Sequence, residues 1–169
     1  MLKLIESLLI KVGLEVIVKY LKSCKIFFRI WKSFASPKIA ILAQEPMLGN
    51  IKSFLCGSNI FNEDAILTGT DIGSLQRFNK ERTVFIVHFK SFYNANPSIK
   101  DEDQEISKIV GKVEDNSKAL LIYAPKAEGN IPENMANIID QKWNVSVVNF
   151  RGRLINDIFA FLITTNIEK

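Results

Sequence analysis

His88 is the single histidine among 169 residues and sits near the end of an apolar run, Thr83 to Phe89 (TVFIVHF). An imidazole changes charge near neutral pH, which makes it the natural general base of such a chain. That role needs a nucleophile and an orienting carboxylate, and nothing in the local spacing supplies both; Ser91 and Ser74 qualify by position only. The competing reading is a core histidine with a satisfied hydrogen bond.

Two loops could hold an anion. Thr68-Gly69-Thr70-Asp71-Ile72-Gly73-Ser74 is a glycine-bearing turn ahead of a short helical stretch, where main-chain N–H groups can cradle a phosphate. It is neither GxGxxG nor GxxxxGK[ST], so a tight turn with a helix cap is its ordinary reading. Asn149-Phe150-Arg151-Gly152-Arg153 carries two guanidinium groups suited to phosphate or carboxylate. With His88, Lys90 and Lys126 they would make one rim electropositive. Alternatively, Arg153 pairs with Asp157 one helical turn on.

Cys24 and Cys56 are the only cysteines. With one histidine they cannot close a structural zinc site without carboxylates, so no metal is expected, and no cofactor is implied. Cys56 stands at a helix end, where the dipole raises a thiol pKa, and reads as structural. No disulfide is needed, and Lys3 and Glu6 interrupt what would be a secretory leader, which favours a reducing, cytoplasmic setting.

Positioning these groups falls to short β-branched runs alternating with helical stretches. Strands are expected at Lys38 to Ala43, Ala65 to Thr68, Thr83 to Phe89, Ala119 to Tyr123 and Val145 to Asn149. Helices are expected at Met47 to Cys56, Ser74 to Phe78, Ser98 to Val113, Pro132 to Gln141 and Leu154 to Thr164. Continuously apolar strands separated by helices describe a parallel sheet covered on both faces. Right-handed crossovers then give a three-layer, doubly wound α/β domain over residues 38–169 with strand order 2-1-3-4-5.

In element order the chain resembles the flavodoxin-type group that includes response-regulator receiver domains and TIR domains. The receiver resemblance implies an acidic pair after the first strand, where Gln44 and Glu45 stand. It also implies an aspartate after the third strand, where Phe89, Lys90 and Ser91 stand, and a lysine after the fifth, where Arg151 stands. Without the acceptor aspartate, receiver-type phosphorylation is not expected. The TIR resemblance implies nucleotide hydrolysis, but its catalytic glutamate has no clear counterpart; Glu102 and Glu105 lie in the right region only loosely.

The net charge of +4 is uneven. Residues 1–38 hold eight basic residues against Glu6 and Glu15, giving +6, and the remaining 14 of 22 basic and 16 of 18 acidic residues give −2. On a helical wheel, Ile5, Leu9, Val16, Tyr20, Phe27, Phe28, Trp31 and Phe34 share a broad apolar arc, with the lysines opposite. Pro37 ends this segment. Its charge-free stretches are far shorter than the roughly 20 residues of a membrane span. The arc either packs against protein or lies in an anionic membrane surface.

The expectation is a non-catalytic signalling or assembly module whose segment 1–37 drives self-association, protein contact or peripheral membrane docking. The alternative is a TIR-like nucleotide hydrolase or nucleotide sensor acting at the strand carboxyl rim. Nucleic acid is the weaker partner, because the domain body is slightly acidic and no aromatics interleave the lysines.

Overall fold

The computed structural model describes residues 38–78, 83–96, 98–114 and 118–164. The candidate contact face from Ile5 to Phe34 therefore lies outside the described residues. Ser36–Lys169 form one compact unit.

Five strands, β1 (Lys38–Leu42), β2 (Ile66–Gly69), β3 (Thr83–His88), β4 (Ala119–Tyr123) and β5 (Val145–Val148), form one sheet in the order β2-β1-β3-β4-β5. Every pairing is parallel, with Ile39 opposite Val84 on β3 and Phe85 opposite Leu120 on β4. This is the doubly wound order expected from the pattern of apolar runs. The central strands carry no inside-outside alternation because both faces are covered: Ile39 to Ala43, Val84 to His88 and all of β4 are buried.

Among the described residues six α-helices supply the cover: α1 (Met47–Gly57), α2 (Gly73–Phe78), α3 (Phe89–Phe92), α4 (Glu105–Glu114), α5 (Glu133–Asp140) and α6 (Arg151–Thr164). On one face Ala40, Leu42, Phe85, Val87, Leu120 and Ile122 meet Leu75 and Phe78 of α2, Ile106, Ile109 and Val113 of α4, and Met135 and Ile139 of α5. The alternate side chains of the same strands point the other way. There α1 lies on β1 and α6 on β3, β4 and β5, and Phe61 in the loop after α1 meets Phe159 of α6 with ring centroids 5.8 Å apart.

Most boundaries shift by one residue from the sequence-based expectation, and three differences bear on the site or its surroundings. The helix expected from Ser98 begins only at Glu105, because Asp101–Asp103 form a separate 3-10 turn and Gln104 adopts an extended conformation (φ −59°, ψ 143°). The third strand stops at His88, and Phe89 opens the short α3 that was not expected. The last helix starts at Arg151 rather than Leu154, so Gly152 lies within its first turn.

Candidate functional site

In an open parallel sheet the loops beyond the strand carboxyl ends are where ligands gather, above all where the strand order reverses. Here the reversal lies between β1 and β3. The loop after β1 and α3 after β3 meet across it, and the segment after β4 flanks α3.

His88 ends β3 and is 5% exposed, with its ring packed at 6.2 Å from that of Tyr123. Its Nδ1 lies 2.8 Å from Ser91 Oγ, and its Nε2 lies 2.9 Å from Glu128 Oε2. Ser91 Oγ in turn accepts the main-chain N–H of Gln44 at 3.0 Å. Burial pushes the imidazole below its ordinary pKa, and the attraction of the Glu128 carboxylate opposes that shift without cancelling it. Burial therefore favours the neutral ring. A carboxylate only accepts hydrogen bonds, so Nε2 carries the proton and Nδ1 is an acceptor, which leaves the Ser91 hydroxyl to donate to it. One arrangement of protons satisfies the whole chain, Ser91 O–H to His88 to Glu128.

Each partner is placed by a different element. Ser91 reaches Nδ1 because α3 makes one turn immediately after β3, bringing residue 91 back over residue 88. Glu128 ends a 3-10 turn, Lys126–Glu128, whose exit requires Gly129 at φ 106°, ψ 175°, a conformation closed to side chains. The segment after α3 is held by Gln104, 3% exposed, whose Oε1 accepts the Asn94 N–H at 2.8 Å and whose Nε2 donates to the Asn94 carbonyl at 2.7 Å.

Two cavities flank this chain. One, of about 340 Å³, is lined by Phe89, Lys90, Tyr93, Ala124, Glu128 and Pro132, among others. The Phe89 and Tyr93 rings in its wall stack 4.9 Å apart at 19°. The second, of about 590 Å³, is more polar and includes Ser91, Tyr93, Gln104 and Lys108.

The other sequence candidates lie elsewhere. Thr68 and Gly69 end β2 at one sheet edge, while Arg151 and Arg153 follow β5 at the opposite edge. Four strand spacings of roughly 4.8 Å separate these edges, about 19 Å. The two loops therefore do not join in one site. Asp71 Oδ1 accepts the Ser74 N–H at 2.9 Å, so the loop's own carboxylate occupies this donor, and Thr70 is exposed. Gly69 is needed for close approach: a Cβ there would stand 2.5 Å from the Ser74 Cβ. The Arg151 guanidinium lies 5.5 Å from the Phe54 ring centroid, and Arg153 pairs with Asp157 at 3.2 Å. Both arginines are engaged within the domain. Lys90 is exposed beside the first cavity and Lys126 is exposed on the turn before Glu128.

Sequence reasoning thus found His88 and weighed Ser91 but missed Glu128, the carboxylate it required. Glu128 is 40 positions from His88, so local spacing carried no signal. The pairing follows from the adjacency of β3 and β4. Among the described residues, no three His, Cys, Asp or Glu side chains gather as a metal site would require.

Compared with family models, curated proteins and solved structures, the chain matches none of them.

Proposed function

We propose that the α/β domain is a nucleotide-responsive signalling module, and that the basic amphipathic segment before it is its docking or assembly arm. The observation that carries the reading is the cavity at the carboxyl ends of β3 and β4, bordered by Glu128, the half-buried partner of the buried His88. Its size falls within the range of small-molecule sites, and it combines apolar walls with a few convergent polar groups. Its lining matches the three parts of a nucleotide: the Tyr93 ring for a planar base, the Glu128 carboxylate for ribose hydroxyls and the Lys90 ammonium for phosphate.

A thermal-shift screen of the full chain against NAD, ATP and the nucleoside monophosphates tests this reading. A ligand at 100 times its dissociation constant stabilises the folded state by about 2.7 kcal/mol. Lys90→Glu and Tyr93→Ala are each expected to abolish the shift; Lys90→Glu, at an exposed position, leaves the unliganded melting temperature nearly unchanged, whereas Tyr93→Ala lowers it by removing the ring stacked on Phe89. No shift with any nucleotide refutes the reading.

A further inference from the structure

We propose that Ser91 is a nucleophile activated by His88 and oriented through Glu128, and that the domain cleaves ester or thioester bonds at the sheet's topological switch point. The proposal goes beyond the nucleotide reading and does not depend on it, because Ser91 lines the second cavity rather than the one beside Lys90.

Three observations carry it. First, nucleophile, base and carboxylate form one continuous chain, at 2.8 Å and 2.9 Å, in the only proton arrangement a neutral imidazole and a carboxylate allow. Second, Ser91 is half-buried and lines a cavity of about 590 Å³, large enough for a small-molecule substrate. Third, the Gln44 N–H donates to Oγ at 3.0 Å, which leaves the hydroxyl proton to point at His88 Nδ1. A serine tied to a histidine merely to cap α3 would need no carboxylate from the neighbouring strand's loop.

The steps balance without any further group. As Ser91 Oγ bonds to the acyl carbon, its proton passes to His88 Nδ1 and the carbonyl electron pair moves onto the carbonyl oxygen. The imidazolium is held by Glu128 at Nε2. Collapse of the tetrahedral species breaks the bond to the alcohol or thiol, which leaves with the proton from Nδ1. Water then attacks the acyl-serine by the same route, releasing the acid and restoring the Ser91 hydroxyl. The cavity also contains Asp103, Glu105 and Lys108, with more negative than positive charge, which suits a neutral or cationic acyl donor and disfavours a phosphate-rich one.

The test is reaction of the full chain with diisopropyl fluorophosphate and with p-nitrophenyl acetate, followed by peptide mass mapping. The expected result is a single phosphoryl or acetyl adduct on Ser91, absent from Ser91→Ala. His88→Gln and Glu128→Gln are each expected to slow adduct formation about a hundredfold, within the range for general-base catalysis. Glu128→Gln is also expected to move the midpoint of the rate–pH profile to lower pH, because the lost carboxylate no longer favours the charged imidazole. A merely structural glutamate would leave that midpoint in place. Circular dichroism and melting curves establish that each variant is folded. An unlabelled Ser91 in folded protein, or labelling at a rate that neither substitution changes, overturns the proposal.

Discussion

At the scale of single residues the domain's chemistry centres on His88, whose environment makes its protonation a stability term. Its folded pKa lies below the unfolded value of about 6.5, so the unfolded chain binds the proton more readily. Its contribution is therefore fully present above pH 6.5 and is lost as pH falls from there through the folded value. Melting temperature is expected to drop over that window, and His88→Gln to flatten this part of the profile, as read by calorimetry at fixed ionic strength. Gly129 acts on the same centre through the backbone. At φ 106°, Gly129→Ala forces a strained conformation costing about 1–3 kcal/mol or shifts the turn that presents Glu128. Urea denaturation is expected to show the loss, although a Cβ there meets no neighbouring atom within 4 Å, which separates backbone strain from steric clash.

At the scale of elements, most of what positions the site was legible in the apolar runs. β4, ALLIY, is buried at every position, and a run of that length and composition has few alternatives to a central strand. Boundaries were less legible where local signals pointed the wrong way. Asp101, Glu102 and Asp103 read as the acidic first turn of a helix. They instead form an isolated 3-10 turn, because extending Gln104 lets its side-chain amide clamp Asn94 across ten residues. Two hydrogen bonds from a buried group outweigh one more turn of helix. Gln104→Ala is expected to cost about 1–3 kcal/mol by removing two hydrogen bonds to the Asn94 main chain, and to loosen the Tyr93 side of both cavities. Hydrogen exchange at Asn94 is expected to accelerate in parallel; unchanged protection at that amide would assign the clamp no role. The same local-versus-tertiary conflict hid α3: Phe89 extends the apolar run of β3, yet it turns into a helix that buries both Phe89 and Phe92.

At the scale of the whole molecule, the division of charge separates two tasks. The segment through Lys38 carries +6 and the remainder −2, so the proposed attraction to an anionic surface rests on the first part of the chain. Among the described residues no helix is long and apolar enough to cross a membrane. The proposed docking arm predicts that the full chain sediments with vesicles containing phosphatidylserine, that binding falls steeply as salt rises, and that Phe28→Glu with Trp31→Glu abolishes it. Binding insensitive to both salt and substitution would remove the arm from the account. What the sequence determined by itself was the sheet, its strand order and its two-sided cover, since hydrophobic periodicity and right-handed crossover are properties of short segments read in order. The tertiary structure alone decided which distant side chains share a site. It parted the Thr68 loop from the arginines, set Arg151 over Phe54, and brought Glu128 to the nitrogen of His88 opposite the one that faces Ser91. The physical reason is that adjacency of strands in a parallel sheet, and not separation along the chain, determines which loops meet beyond the strand ends.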